Sequence, residues 1–347
     1  MCGIVGYIGN NQAPSILIDG LSKLEYRGYD SAGVAVHDGE NINILKTKGR
    51  LSNLVKLVIE NPLTGTLGIG HTRWATHGVP SDVNAHPHIS NDNMIAVVHN
   101  GIIENYVDIK NELAAEGCVF LSDTDTEVIA HLIDKYYKEC LDFEDAVFKA
   151  VNRFEGAYAI GIICKDCPDK LIAVRKGSPL VIGKGNGENY IASDIPALLN
   201  YTREVYFLEE DEVAVLTKDS VAIYDKNRNR VEREIYHVTW DIEAAEKSGY
   251  AHFMLKEINE QPKIVRETIL NRVPENGDGI DLENIKLDRK DLENIDRIYM
   301  VACGTAYYAG LIGKHLIEKI CRIPVISEVA SEFRYSDPII DDRTLLI

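Results

Sequence analysis

The 347-residue chain lacks any long apolar run. No stretch of it approaches the roughly 18 apolar residues that a membrane-spanning helix needs. The N-terminus also lacks the basic region and the apolar stretch of a signal peptide. These two absences argue against a membrane protein and a secreted protein, so we expect the protein in the cytoplasm.

Positive charge is scarce as well, because 37 Lys and Arg residues stand against 54 Asp and Glu residues, which gives a net charge of -17. A surface of this sign repels a polyanionic backbone, so nucleic acid is not expected as a partner. The seven cysteines are scattered and odd in number, unlike the pairs of a secreted disulfide framework. Reduced thiols are therefore expected.

Short apolar runs alternate with helical stretches over about the first 225 residues, and this alternation predicts a mixed α/β domain. In DTEVIAHLIDKYY (125–137) the apolar residues fall on one face of a helix. NYVDIKNELAAEG (105–117) predicts a second amphipathic helix that ends at Gly117. Both helices are expected to face the core.

The pattern then loosens into a charged segment, which we interpret as an interdomain linker with a helix from His252 to Leu270. RIYMVACGTAYYAGLIGKHLIEKIC (297–321) predicts a strand, a glycine turn and a long helix, the opening of a parallel α/β domain. The final TLLI is strand-like. Because fewer than about 60 residues that stop inside a strand could hardly close a core, we expect an N-terminal fragment of a longer protein.

The chain opens MCGIVGYIG, which places a cysteine directly behind the initiator methionine. Removal of Met1 would leave Cys2 with a thiol and a free α-amino group, a nucleophile and a base on one residue. A small half-buried residue in the first strand is the other interpretation. Binding sites usually lie on loops held by a strand scaffold. Polar loops of this kind are EYRGYDSAG (25–33), HTRWATHG (71–78), NAHPH (84–88), VVHNGIIEN (97–105) and SDTDTE (122–127).

These segments, with GSPLVIG, KEINEQP, ACGT and ASEFRY further along, resemble the glutamine–fructose-6-phosphate aminotransferase family over almost the whole chain. The resemblance implies an α+β fold, the αββα sandwich of an N-terminal-nucleophile hydrolase and class II glutamine amidotransferase, followed by the truncated start of an α/β sugar-isomerase (SIS) domain. The implied boundaries are 2–225 for the glutaminase domain, 226–289 for the linker and its helix, and 290–347 for the incomplete SIS domain.

The resemblance implies that the Cys2 thiolate attacks the side-chain amide of glutamine. An α-amino group titrates near pH 8, so a useful fraction can accept the thiol proton at neutral pH. The side-chain amide of Asn100 and the backbone N–H of Gly101 would form the oxyanion hole, in which each donor is worth a few kcal/mol. The residues alone leave a hairpin turn open, because Asn-Gly between apolar runs is a strong turn signal.

Arg73 would hold the α-carboxylate of glutamine with two parallel hydrogen bonds, and Asp125 would pair with its α-ammonium group. Thr124 and Glu127 also have the spacing of a capping box at the start of the helix beside Asp125. A residue at a fixed helix start is rigidly presented, so the two interpretations are compatible.

Three further glutamine contacts are implied by the resemblance. Trp74 and His77 belong to a loop that closes over bound glutamine, and Arg27 matches a family arginine near the nucleophile. From the residues alone, roles in the core would suit Arg27 and His77 equally well.

ACGT places Gly304 and Thr305 between a predicted strand and a helix, where backbone N–H groups suit a phosphate. The resemblance puts Thr305 and the backbone after Gly304 near the sugar of fructose 6-phosphate or its phosphate. A structural glycine turn is the alternative interpretation. Ala306 stands where family members commonly carry Ser, which removes or shifts one hydroxyl contact. The family's SQSGET phosphate loop and its later Glu, His and Lys groups would lie beyond Ile347, so an unfinished sugar site is expected.

The histidines at 71, 77, 86, 88 and 99 raise the question of a metal site. No HExxH motif, carboxylate at ligand spacing or paired cysteines accompany them, so a zinc hydrolase is disfavoured. No metal and no organic cofactor is implied. CKDC (164–167) has no second cysteine pair and lies between apolar strands, which indicates a hairpin turn.

The expected reaction of the parent protein moves the amide nitrogen of L-glutamine onto fructose 6-phosphate, giving glucosamine 6-phosphate for the UDP-N-acetylglucosamine pathway. The chain itself would perform at most the glutaminase half-reaction. A homo-oligomer, a dimer, is expected at full length. Two alternatives stay open: another class II amidotransferase, of the phosphoribosyl-pyrophosphate or asparagine-synthesising type, and a non-catalytic sugar-phosphate sensor.

Overall fold

The computed structural model describes residues 2–75, 78–239, 250, 252–270, 272–273, 279–280, 287 and 289–347. The chain divides into two compact units, Met1–Gly249 and Tyr250–Ile347. No helix within the described ranges is long and apolar enough to cross a membrane. All seven cysteines are free thiols.

The first unit contains both strands and helices. Its strands are β1 (Gly3–Ile8), β2 (Ser31–His37), β3 (Ile42–Lys48), β4 (Leu67–Arg73), β5 (His88–Ile89), β6 (Ile95–Ile103), β7 (Gly156–Cys164), β8 (Cys167–Lys176), β9 (Val181–Lys184), β10 (Asn189–Ala192), β11 (Glu204–Phe207), β12 (Glu212–Leu216), β13 (Val221–Tyr224), β14 (Arg230–Val231) and β15 (Tyr236–His237). Its helices are α1 (Ala13–Leu24), α2 (Leu51–Glu60), α3 (Tyr106–Ala115), α4 (Glu127–Cys140) and α5 (Phe143–Val151), with short 3-10 helices at Glu25–Arg27 and Ile195–Ala197.

Two antiparallel sheets form the centre of this unit, one in the order β15-β11-β9-β10-β1-β4-β2-β3 and the other in the order β14-β13-β12-β8-β7-β6-β5. Side chains alternate between the faces of a strand. In β1, Ile4 and Ile8 belong to the apolar cluster between the sheets, while Val5 and Tyr7 pack with α1 and α2 on the outer face. Helices α3 to α5 cover the outer face of the second sheet. The predicted αββα sandwich is confirmed.

Strand β1 is a central strand, and all six of its residues are buried. It pairs antiparallel with β4 on one side, where Gly3 lies opposite Thr72, and with β10 on the other, where Val5 lies opposite Ala192. In an antiparallel pair the start of one strand meets the end of its neighbour. This pairing places Cys2 beside the last residue of β4, Arg73.

The two predicted helices of the first domain are present as α3 and α4, but α4 does not begin with a capping box. Thr126 at its N-cap makes no capping hydrogen bond through its side chain. Glu127 accepts hydrogen bonds from the backbone N–H groups of Leu121 and Ser122. The Thr124 hydroxyl lies 3.1 Å from the ring of His88. The capping-box prediction is wrong, because these side chains hold the preceding loop and a neighbouring strand.

Asn100 and Gly101 lie inside β6, where they face Ala159 and Tyr158 of β7. The pairing continues to Ile103, so the hairpin-turn interpretation of this Asn-Gly pair is wrong. The CKDC hairpin is confirmed, since β7 and β8 are joined by a turn at residues 165–166.

The second unit has the predicted order of a strand, a glycine turn and a helix. Its strands are β16 (Arg297–Ala302), β17 (Val325–Val329) and β18 (Thr344–Leu346), and its helices are α6 (Phe253–Leu270), α7 (Arg289–Asn294), α8 (Gly304–Ile320) and α9 (Ala330–Phe333). The strands form a parallel sheet in the order β17-β16-β18. The predicted helix from His252 to Leu270 corresponds to α6.

Candidate active site

A narrow cleft opens where β1 begins, β4 ends and the loop before α4 crosses the end of β6. Its lining residues are Cys2, Arg73, Trp74, His86, His99, Gly101, Thr124, Asp125 and Thr126. Five of the candidate catalytic and glutamine-binding residues therefore lie around one space: the cysteine, the arginine, the tryptophan, the glycine and the aspartate.

The Cys2 thiol lies against the backbone of Trp74. Its Sγ accepts a hydrogen bond from the Trp74 N–H at 3.2 Å and is 3.5 Å from the Trp74 carbonyl oxygen. Burial raises the pKa of the Cys2 thiol, and the hydrogen bond from Trp74 only partly offsets this. The thiol therefore holds its proton at neutral pH unless a base removes it.

Two hydrogen bonds with Asp30 hold the backbone segment that carries Arg73. The Asp30 N–H donates to the Arg73 carbonyl at 3.0 Å, and the Asp30 carboxylate accepts from the Ala75 N–H at 2.9 Å. A Cβ at Gly28 would lie 2.7 Å from the Arg73 carbonyl carbon, so this close approach requires glycine. Sequence reasoning missed both supporting residues, although the EYRGYDSAG segment contains them.

The guanidinium group of Arg73 is buried and donates a hydrogen bond to the Gly78 carbonyl at 3.1 Å. Trp74 is 44% exposed and meets the Tyr29 ring edge-on at 5.5 Å, so its indole forms part of the rim. His77, the other predicted loop residue, lies outside the described residues. These contacts leave Arg73 inside the cleft and Trp74 at its mouth.

Arg27 is not among the residues that line the cleft. Its guanidinium group is 2.7 Å from the carboxylate of Asp194, and Tyr26 donates a hydrogen bond to the same carboxylate at 3.0 Å. The ion pair links the short helix after α1 to the segment after β10. The structure thus gives Arg27 a structural contact and does not bring it to the cleft.

Asn100 connects Cys2 to the interior of the sandwich. Its Nδ2 donates to the Cys2 carbonyl oxygen at 3.1 Å, and its Oδ1 lies 3.0 Å from Nε2 of His71. Asn100 is 7% exposed. An amide nitrogen carries two hydrogens, so the contact with Cys2 leaves one for a ligand.

Gly101 is exposed and has a φ of +119°. A Cβ at this position would lie 2.0 Å from the Ala157 carbonyl oxygen. Replacing Gly101 by Ala should therefore lower the free energy of unfolding by about 3 kcal/mol or more, through backbone strain and the clash together. Urea unfolding of the purified variant measures this loss.

Gly39 provides a matched control, because it has a φ of +108° and a Cβ there would meet nothing within 4 Å. Gly39→Ala should lower the free energy of unfolding by only about 1–2 kcal/mol. Equal losses for the two variants would contradict the steric argument for Gly101.

Asp125 lies in the loop before α4 with its side chain buried. Its Oδ2 accepts a hydrogen bond from the Ile103 N–H at 2.9 Å and lies 4.0 Å from Nδ1 of His99. Burial lowers the pKa of Arg73, and the nearby charge of Asp125 counteracts this effect. One cationic and one anionic side chain therefore face the same cleft, which suits a ligand with both a carboxylate and an ammonium group.

Four buried histidines cluster at the cleft, where His86 and His99 are among the lining residues, and sequence reasoning considered them only as metal ligands. The rings of His71 and His86 stack at 4.2 Å, and those of His86 and His88 meet at 4.9 Å. Burial lowers the pKa of His71 to about 3 and lowers the pKa of His86, His88 and His99 as well. The rings are therefore neutral at pH 7. Over the described ranges, no three His, Cys, Asp or Glu side chains are placed to hold a metal ion.

Gly304 and Thr305 lie in the second unit, at the junction of β16 and α8. Gly304 has a φ of +58°, and both residues are exposed. Cys303 takes the N-cap position without a capping hydrogen bond from its side chain. The first backbone N–H groups of α8 are thus presented at the end of a parallel strand.

Comparison with protein families matches residues 71–200 to a glutamine amidotransferase domain and residues 291–347 to a SIS domain. The chain is 59% identical to glutamine–fructose-6-phosphate aminotransferase (isomerising) of Clostridium perfringens over all 347 residues, which cover 56% of that relative. The enzyme of the same name from Thermus thermophilus is 49% identical over 347 residues, again 56% of its length. The chain thus spans little more than half the length of the curated relatives it matches.

Two solved structures share the fold. Glutamine phosphoribosylpyrophosphate amidotransferase from B. subtilis aligns with a TM-score of 0.60 at 21% identity, over 94% of this chain and 65% of that one. An allosteric regulatory enzyme of purine biosynthesis aligns with a TM-score of 0.58 at 28% identity, over 66% of this chain and 50% of that one. Over its full length, the chain is thus similar to the glutamine–fructose-6-phosphate aminotransferases (isomerising), and it contains a match to a glutamine amidotransferase domain.

Proposed function

We propose that this chain hydrolyses L-glutamine through a γ-glutamyl thioester at Cys2, and that the whole protein moves the released nitrogen onto fructose 6-phosphate to give glucosamine 6-phosphate. The names of its relatives support this acceptor over that of another class II amidotransferase. The observation that carries the proposal is the Cys2 thiol in a cleft lined by Arg73 and Asp125. These charges match the α-carboxylate and the α-ammonium group of a free amino acid.

The reaction begins after removal of Met1. The free α-amino group of Cys2 accepts the thiol proton, and the thiolate attacks the side-chain carbonyl carbon of glutamine. Negative charge then develops on the carbonyl oxygen, where Nδ2 of Asn100 and the N–H of Gly101 would stabilise it. The C–N bond breaks, and the departing nitrogen takes the proton from the ammonium group and leaves as ammonia.

Water then completes the half-reaction. The same amino group accepts a proton from water as its oxygen attacks the thioester carbonyl. The C–S bond breaks, glutamate leaves, and the thiolate regains its proton. In this scheme Arg73 and Asp125 hold the substrate and take no proton, while Trp74 closes the mouth of the cleft. The proposal extends this closing role to His77 and assigns Arg27 to the support of the nucleophile's surroundings.

A glutaminase assay on purified chain tests the proposal, once mass spectrometry has verified that Cys2 is the first residue. Glutamate should be released from L-glutamine, and an electrophilic glutamine analogue should add to Cys2. A chain that binds fructose 6-phosphate in a titration but releases no glutamate and forms no adduct would instead support a sugar-phosphate sensor.

Asp125→Asn removes the proposed ammonium partner and keeps a side-chain oxygen for the Ile103 N–H. Loss of one charge-assisted hydrogen bond costs about 1.5–3 kcal/mol, so we expect the KM for glutamine to rise roughly 10- to 100-fold with a smaller change in kcat. Steady-state glutaminase kinetics measure both constants.

Asp123→Asn is the matched control for this variant, because Asp123 lies in the same loop and contacts Asn84 rather than the cleft. Its KM should stay within about twofold of the wild-type value. Equal KM values for wild type and Asp125→Asn would remove Asp125 from the substrate site.

The rest of the organisation follows from the same proposal. Residues 2–225 form the glutaminase domain, 226–289 the linker with its helix, and 290–347 the start of the SIS domain. The backbone after Gly304 and the side chain of Thr305 approach the sugar phosphate. We propose a cytoplasmic, dimeric full-length protein, for which the free cysteines and the family match are the support.

A further inference from the structure

An asparagine side chain has a donor end and an acceptor end of nearly the same shape, and only the donor end can stabilise an oxyanion. We propose that His71 is a positioning residue that holds the Asn100 amide with its NH2 group toward Cys2, through a ring protonated at Nε2 alone. This inference rests on the proposed function of Asn100 as an oxyanion donor and extends it to a residue of β4, a strand of the facing sheet.

The surroundings of the His71 ring decide which nitrogen carries the proton. Nε2 lies 3.1 Å from the His99 carbonyl oxygen and 3.0 Å from Oδ1 of Asn100. A carbonyl oxygen can only accept, so Nε2 must be the protonated nitrogen. Nδ1 is buried and has no hydrogen-bond partner within the described ranges. A second proton at Nδ1 would create a buried positive charge on the ring with no acceptor for the new N–H. Burial already lowers the pKa of His71 to about 3.

This tautomer fixes the Asn100 amide. With Oδ1 toward His71, the NH2 group of Asn100 donates to the Cys2 carbonyl oxygen at 3.1 Å. If the amide rotated by half a turn, its NH2 group would face the Nε2–H of His71, and its oxygen would face the Cys2 carbonyl. Both hydrogen bonds would become repulsive contacts between buried groups. One proton on His71 thus selects the catalytic orientation of Asn100.

The His71 ring is itself held by packing. Its ring stacks on His86 at 4.2 Å with an interplanar angle of 23°. The His99 N–H lies 3.3 Å from Nδ1 of His86, and Nε2 of His86 lies 3.3 Å from the Thr126 hydroxyl. Thr126 directly follows Asp125 in the chain. The same group of neutral rings therefore supports the oxyanion side and the ammonium side of the cleft.

Two substitutions separate the hydrogen bond from the packing. His71→Gln keeps an N–H donor at the reach of Nε2, whereas His71→Leu fills the site without a donor. We expect His71→Leu to lower kcat for glutamine hydrolysis roughly 100-fold with KM within about threefold, as for loss of an oxyanion donor. His71→Gln should recover at least about tenfold of that loss.

A double-mutant cycle with Asn100→Ala tests whether His71 acts through Asn100. In that background His71→Leu should change kcat by less than about threefold, because there is no amide left to orient. A merely structural role predicts the same 100-fold loss in both backgrounds. Multiplicative losses, or equal losses for His71→Leu and His71→Gln, would overturn the inference.

An experiment that requires no catalytic activity tests this inference independently of the proposed function. ¹⁵N NMR of the wild-type chain labelled at histidine should show His71 protonated at Nε2 and bare at Nδ1. If the wild type released no glutamate, the proposed function would fail and this spectrum would decide the tautomer alone. If His71→Leu did not fold, the spectrum and a double-mutant cycle of His71→Gln with Asn100→Ala would decide whether the inference holds. A His71 ring protonated at Nδ1 overturns the inference in either case.

Discussion

Replacing Cys2 by Ala should lower kcat for glutamine hydrolysis by about 10⁵-fold or more, the order seen when a covalent nucleophile is removed. In the proposed mechanism no thioester forms without the sulfur, and Asn100, Arg73 and Asp125 can only bind the substrate. A glutamate-release assay measures the loss. Cys118→Ala is the matched control, because Cys118 is another partly buried free thiol, and it should retain wild-type activity.

An N-terminal extension should be nearly as damaging, although it leaves the thiol in place. An acylated α-amino group cannot take a proton, and burial raises the pKa of the Cys2 thiol. The extended chain should regain activity when a protease removes the extension and exposes Cys2. Full activity of the extended chain would show that another group is the base.

Mild acid should destabilise the first unit through its four buried histidines. Burial lowers the folded-state pKa of His71, His86, His88 and His99, while an unfolded histidine titrates near pH 6.5. The unfolded chain therefore binds more protons below this pH, and the folded state loses stability as the pH falls. Each histidine contributes a slope of about 1.4 kcal/mol per pH unit. For His71 the loss continues to about pH 3.

Urea unfolding followed by circular dichroism between pH 7.5 and 4.5, a range chosen to lie above the usual carboxylate pKa values, measures this slope. His88→Gln should reduce the slope by about 1.4 kcal/mol per pH unit, because it removes one such group. His237→Gln, at an exposed position of β15, should leave the slope unchanged. A free energy of unfolding that is constant from pH 6.5 to 4.5 would show that the rings are not neutral and buried.

The helices and the sheet class could be predicted because their signals are local. Helix α4 has a clear apolar face, and the segment from β16 to α8 has a strand, a glycine turn and a periodic helix in sequence order. Asn100-Gly101 shows where local signals fail. A turn was a sound interpretation of that dipeptide, but nine residues of β6 pair with β7, and this pairing overrides the turn preference.

Many of the residues around the cleft could be predicted from the sequence. The side-chain contacts that hold them in place could not. Asp30 contacts Ala75 across 45 positions, and His71 contacts Asn100 across 29. No periodicity or motif spacing reports such contacts. Arg27 is the opposite case, because it was predicted at the site but is not among the residues that line the cleft. Its guanidinium group pairs with Asp194, 167 positions further along the chain. Side-chain partners far apart in sequence are brought together by strand pairing and by the packing of one sheet on the other, which only the fold supplies.

The central place of β1 has a consequence for the order of events during synthesis. Its residues are the first to be made, yet one of its two partners, β10, ends at Ala192. At about 5–20 residues per second, the ribosome needs roughly 10–40 s to reach that residue. Until then the strand behind Cys2 has an open edge. The removal of Met1 that the proposed mechanism requires therefore has a window before the sheet around Cys2 is complete.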